Sequence, residues 1–189
     1  MKPKRIILVP VPGPKTPTPA ELTFLAPVLK RQMLEQDMHE FVKEVWPVLE
    51  PERKFSDNCH ISAIIKHLEA AARGNIRSLL INVPPASMKS LLVCVFWPAW
   101  VWTWRPQSRW LFASYSDALT VCDSMRCRSL IESEWYRSKW TNSTLAPDQN
   151  TKDKFANVKG GWRMATSVGG SSTGEHPDFV MEPPAKPVA

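Results

Sequence analysis

Apolar residues recur at helical spacing between Leu22 and Val48. Leu25, Val28, Leu29, Met33, Met38, Phe41, Val42 and Val45 are separated by polar positions, which predicts one or two amphipathic helices packed on a flank. Past Pro47 and Pro51, Ser56 or Asp57 is placed to cap a helix from about Cys59 to Arg73. Ile61, Ile64, Ile65 and Leu68 form its buried stripe, and Gly74 is its stop. Leu79 to Val83 has no sustained polar alternation and predicts a strand buried on both faces. Leu91 to Trp104 is almost wholly apolar, but about 14 residues with Pro98 inside fall short of the roughly 20 needed to span a bilayer. A buried helix with a break near Pro98 is expected there.

In the second half, Trp110 to Ala113 predicts a short strand. Ser116 or Asp117 can cap a helix over about Ala118 to Ser133, with Leu119, Cys122, Met125, Arg126 and Leu130 toward one side. Lys154 to Val158 and Trp162 to Thr166 flank Gly160-Gly161 and predict a hairpin. Ser167 to Gly174 is small and glycine-rich, and Asp178 to Glu182 predicts a third buried strand ending in an acid. Strand, loop, helix, strand, helix, hairpin and strand is the order of a three-layer α/β sheet. Ligands of such sheets sit beyond the carboxyl ends of the strands, where Val83, Ser114 and Glu182 all fall.

Composition narrows this picture modestly. The 189 residues allow one domain with a real core. Of 18 prolines, those from Pro10 to Pro27 make a polyproline-prone arm, and Pro183, Pro184 and Pro187 close the chain similarly. Pro10, Pro12 and Pro14 also interrupt the apolar run Ile6 to Val9 before it can act as a signal-peptide core. A net charge of +6 suits a polyanionic partner, although Lys and Arg are scattered among acids as on a solvated surface. Cys59, Cys94, Cys122 and Cys127 contain no C-x-x-C pair, so reduced thiols in a cytosolic compartment are expected.

The chemistry concentrates at Pro84-Pro85-Ala86-Ser87-Met88-Lys89-Ser90. A loop between a buried strand and a helix grips phosphate when its backbone N–H groups turn to one side. A Lys then reaches the terminal phosphates and a Ser hydroxyl reaches magnesium. Lys89 and Ser90 fit, whereas Val83 and Met88 stand where the two glycines of the common motif belong. Glu182, at the end of another buried strand, is placed to hold the metal; it also reads simply as an acid where a strand emerges into solvent. The tryptophans at 97, 100, 102, 104 and 110 alternate with Val, Pro and Ala and predict core filling rather than base stacking.

Several separated blocks then resemble one family. They are Phe41-Val42-Lys43-Glu44-Val45-Trp46-Pro47, the loop from Asn82 to Ser90, Trp97-Pro98-Ala99-Trp100, Ser114-Tyr115-Ser116, Arg128-Ser129-Leu130-Ile131, Trp135-Tyr136, and the glycine-rich run from Gly160 to Gly174. Over most of residues 40 to 189 the chain resembles the N-terminal packaging ATPase domain of the terminase large subunit of tailed bacteriophages, whose Pro-Pro-x-x-x-Lys-Ser loop replaces the glycines.

The resemblance implies a P-loop NTPase-like α/β fold with a mainly parallel central sheet, incomplete at the C-terminus. Residues 1–30 would be a flexible arm and 31–189 a partial ATPase domain. It further implies ATP and Mg as cofactors, held by Pro85, Ala86, Ser87, Met88, Lys89 and Ser90. Ser90 and Glu182 would be the metal ligands and Glu182 the catalytic acid. His60, with Phe55, lies where the family contacts adenine, or else in an ordinary capping segment. Arg126, Arg128 and Arg163 are charges toward a γ-phosphate or neighbouring subunit, or else surface ion pairs. Full-length relatives drive double-stranded DNA into a capsid with a small terminase subunit and a portal protein, as homo-oligomers in the bacterial host cytoplasm.

Two departures shape the expectation. Family members carry two acids before proline, where this chain reads Glu182-Pro183-Pro184, and an arginine is frequent where Ala86 stands. The length leaves no room for the family's nuclease domain, so a fragment, a truncated prophage product or one piece of a split gene is expected. ATP binding is then the leading function. An inactive remnant acting as an interaction module is the alternative, and a generic helicase-like ATPase shares only the loop.

Overall fold

The computed structural model describes residues 19–167 and 174–182. The chain opens with α1 (Pro19–Gln36) and α2 (Met38–Leu49), divided at Asp37, whose carboxylate accepts from the His39 and Glu40 N–H groups. Their buried side is Leu34, Met38, Phe41, Val42 and Val45, while Leu25, Val28, Leu29 and Met33 of α1 remain exposed. Of the expected arm, residues 1–18 lie outside the described residues and 19–30 belong to α1. In α3 (Cys59–Ala72) the predicted stripe Ile61, Ile64, Ile65 and Leu68 is buried. Gly74 ends it at φ +81°, donating to the Ala71 carbonyl while Asn75 donates to that of Ala70.

Residues 89–104 are continuously helical rather than broken at Pro98. A π-helical segment, Leu91–Phe96, runs directly into α4 (Trp97–Trp104). Pro98 has no N–H to give the Cys94 carbonyl four residues back, and the widened turn upstream of it absorbs the mismatch. Arg163 donates to that carbonyl instead, at 3.2 Å.

Strand β1 (Trp110–Ser114) leads to α5 (Asp117–Glu132), the short α6 (Glu134–Arg137) and a 3₁₀ turn, Thr141–Ser143. Then follow β2 (Leu145–Asn150), β3 (Lys154–Asn157), β4 (Trp162–Ser167) and β5 (Phe179–Met181), in the spatial order β2-β3-β4-β1-β5. The hairpin predicted around Gly160-Gly161 is β3–β4. Gly161 is required there, because a Cβ would stand 2.0 Å from the Pro106 carbonyl oxygen. On α5 the predicted stripe is out of phase. Thr120, Ser124, Cys127, Leu130 and Ile131 are buried, and Leu119, Cys122 and Met125 are exposed.

The mainly parallel P-loop sheet expected from the sequence does not form. β1 pairs in parallel with β4 and β5, but β2–β3 and β3–β4 are antiparallel. The connections within β2–β3–β4 are too short for crossovers and permit only antiparallel neighbours. The strand expected at Leu79 to Val83 is also missing from the sheet. Residues 76–87 make no backbone-to-backbone hydrogen bond with any described residue. Leu79, Ile81 and Val83 rest against the core and Leu80 is 80% exposed, so the segment is half-buried rather than enclosed on both faces.

Helices cover the sheet face that carries Trp110, Phe112, Arg163, Phe155 and Phe179. Trp97 meets Trp110 and Phe179 edge-on at 5.0 and 5.2 Å between ring centroids, and Trp102 meets Phe155 at 5.9 Å. Among the described residues no helix is long and apolar enough to cross a membrane.

Candidate functional site

Ala86 and Met88 both adopt left-handed backbone, at φ +62° and +59°, and Ser87 between them does not. Pro85 is held at negative φ by its ring and Lys89 begins the helix, so the sign of φ alternates along residues 85–89. Such alternation turns successive N–H groups toward one concavity, the backbone form of an anion-binding nest. Side chains pay about 1 kcal/mol or more to sit in this region. The Ser87 hydroxyl steadies the loop by donating to the Pro84 carbonyl at 2.6 Å, and the Met88 carbonyl accepts from the Leu92 N–H at 3.0 Å to start the helix. N–H groups of a first helical turn point outward without partners, which favours negative charge at that end.

Lys89 and Ser90 stand on the wall of a cleft of about 1340 Å³. Residues 76–81 and 178–182 also line it, with Trp97, Phe112, Asp123 and Arg163 in its walls. Glu182 therefore lines the same cleft as Lys89 and Ser90. One hydroxyl and one carboxylate fit a magnesium ion, which is commonly held by one or two protein oxygens, phosphates and water. Among the described residues no group of three or more His, Cys, Asp or Glu side chains is placed to hold a metal by itself.

The other predicted residues are placed elsewhere. His60 lies in the first turn of α3 and is not part of the cleft. Phe55 packs edge-on against Trp46 at 5.5 Å and so belongs to the helical cluster. Arg128 is engaged with Glu132 at 3.2 Å and the Asn150 carbonyl at 3.3 Å, and Arg126 with Glu50 at 2.9 Å, both away from the cleft.

Arg163 is the exception. It is fully buried, its guanidinium lies 4.1 Å from the Phe112 ring centroid, and only Nη2 is engaged, by the Cys94 carbonyl. Nε and Nη1 have no partner among the described residues, nor does the buried Nε1 of Trp97 nearby in the same walls. Burial draws the Arg163 pKa down, against the opposing pull of Cys127, Cys94 and Asp123. Burial likewise raises Asp123, partly offset by Arg163 and Arg126. The Cys94 thiol is pushed by burial up to about 12 and Cys127 up to about 11, so both stay protonated and unreactive. Neither Trp97 nor the depth of Arg163 was legible as a site feature, because nothing local marks which polar atom will be left without a partner.

Compared with known proteins, the chain matches no family model, no curated protein and no solved structure.

Proposed function

We propose that this chain binds a nucleoside triphosphate with magnesium at the Pro84–Ser90 loop, as the ATP-binding part of a phage DNA-packaging terminase large subunit. The alternating backbone of residues 85–89 carries the nucleotide reading. It is a strained loop opening directly onto a helix, with Lys89 and Ser90 on the wall of a cleft shared with Glu182. The packaging role rests on the sequence blocks that resemble that family.

In this reading the loop N–H groups receive phosphate oxygens, Lys89 neutralises the terminal phosphates, and Ser90 and Glu182 hold the metal. The metal shields phosphate charge when bound. Pro183 supplies no carboxylate to orient water, so binding is the property this chain retains and hydrolysis the one it lacks.

The test is thermal unfolding with ATP and magnesium at millimolar concentration. Wild type is expected to gain stability that rises with the logarithm of ligand concentration above the dissociation constant, and Lys89→Ala to lose most of that gain. Absence of any ATP-dependent shift in wild type refutes nucleotide binding. Steady phosphate release, with or without DNA, refutes the non-hydrolysing form of the proposal.

A further inference from the structure

The two positions where the common phosphate-binding motif carries glycine are filled here by apolar side chains, Val83 and Met88. Both are half-buried and both pack against the hydrophobic core. Between them Pro84, Pro85 and Ala86 are exposed, and Lys89 and Ser90 immediately after them are exposed as well. The loop is thus pinned at each end, while the residues that would meet a phosphate stand in solvent.

Met88 is the anchor that bears on the shape of the loop. Its backbone is left-handed, at φ +59°, a conformation that glycine adopts freely and that a residue with a Cβ resists. Local preference alone would take residue 88 out of that region, and the alternation of φ that turns successive N–H groups to one side would go with it. The Met88 carbonyl accepts from the Leu92 N–H at 3.0 Å, a bond that fixes the carbonyl side of the residue rather than its φ. The contact of the side chain with the core supplies the remaining restraint, and an unbranched thioether suits an irregular site at the edge of a core.

We propose that Met88 is a positioning residue for the phosphate loop: its side chain, seated on the core, holds the loop in its anion-binding form before any ligand arrives. This role rests on the nucleotide binding proposed above. Glycine at position 88 removes the backbone cost and the anchor together, so strain and anchoring predict opposite effects of that substitution. If left-handed strain governed the site, Met88→Gly would bind nucleotide at least as well as wild type. If the side chain positions the loop, Met88→Gly binds more weakly, because apparent affinity falls with the fraction of molecules in the competent form.

The test is calorimetric titration of ATP with magnesium into wild type, Met88→Gly and Met88→Leu, with urea unfolding of each protein to establish that it is folded under the conditions of the titration. Met88→Gly is expected to bind about tenfold more weakly than wild type, as for a loop that is competent about a tenth of the time. Met88→Leu restores an apolar anchor of similar volume and is expected to recover affinity to within about threefold of wild type. A merely structural role moves the urea midpoint and leaves the affinity of the folded protein unchanged. Should Met88→Gly not fold, Met88→Ala makes the same comparison; it keeps the backbone cost without the anchor and is expected to bind at least as weakly. Affinity of Met88→Gly or Met88→Ala equal to wild type overturns the inference and leaves nucleotide binding standing, as does a Met88→Leu no better than Met88→Gly. A wild type that takes up no ATP at millimolar concentration removes both.

Discussion

The aromatic core and the cleft beside the Pro84–Ser90 loop differ in how their buried polar atoms are satisfied. In the core, buried aromatic tips find acceptors. Trp100 Nε1 donates to the Leu34 carbonyl at 2.9 Å, Trp102 Nε1 to that of Ser108 at 2.9 Å, and the Tyr136 hydroxyl to that of Ala99 at 2.7 Å. Trp110 Nε1 reaches the Ser108 hydroxyl at 3.0 Å, and Trp140 Nε1 reaches Glu35 at 2.8 Å. Along the cleft, Trp97 Nε1 and two nitrogens of Arg163 have no partner among the described residues, and residues 76–87 join no backbone ladder with any of them. These core rings are satisfied, although the buried Ser124 Oγ and Asn150 Oδ1, away from the cleft, also have no partner among the described residues. The cleft wall concentrates three of these donors, and Lys89 and Ser90, which follow the left-handed positions 86 and 88, line the same cleft.

Four substitutions break or sharpen this contrast. Trp100→Ala removes a fully buried ring and its hydrogen bond, and is expected to lower stability by about 3–5 kcal/mol in urea unfolding. A smaller loss indicates that the core is less tightly assembled than its contacts imply. Gly161→Ala drives a Cβ against the Pro106 carbonyl, an unyielding backbone atom, and is expected to cost about 1–3 kcal/mol by the same measurement. Ala86→Gly acts in the other direction. Releasing a left-handed alanine on the surface is expected to stabilise by a few tenths to about 1 kcal/mol, whereas a loss of stability argues that residue 86 is not left-handed in solution.

Asp123→Asn is the smallest. Burial raises the folded-state pKa of Asp123 above its ordinary value of 3.8, so the folded chain holds that proton more tightly than the unfolded chain. The stability this contributes is complete below the ordinary value and is lost as pH rises through the folded-state value. The amide is therefore expected to raise the melting temperature by about a degree or two near pH 7, with the gap closing as pH falls toward 4. A gap that widens on acidification reverses the assignment and makes the Asp123 carboxylate a net partner of Arg163.

Much of the helical layer was legible along the chain. Ile61, Ile64, Ile65 and Leu68 fall every third or fourth residue before a glycine, and the helix they predict ends at that glycine. The β3–β4 hairpin was equally plain, because Gly160-Gly161 separates two short runs. The stripe on α5 was misread because its buried face is small and polar, Thr120, Ser124 and Cys127, and hydrophobic periodicity cannot rank such residues. Leu79 to Val83 failed for a different reason. Its composition suits an enclosed strand, but a strand exists only where a neighbour supplies hydrogen bonds, and the described residues supply none.

The candidate site divides along the same line. The placement of Lys89 and Ser90 at a helix start and of Glu182 just past a strand was legible, because a loop-to-helix junction and a strand end announce themselves locally. The alternating φ at Ala86 and Met88 was not, since neither residue prefers left-handed backbone and only the surrounding packing holds them there. By itself the sequence determined the positions of helices, hairpin and loop, all of them effects of neighbouring residues. Tertiary structure alone decided which strands pair in which direction and which donors lack acceptors. Those outcomes depend on where distant segments meet: Arg163 reaches the Cys94 carbonyl that Pro98 cannot serve, and among the described residues β5 pairs with β1 alone.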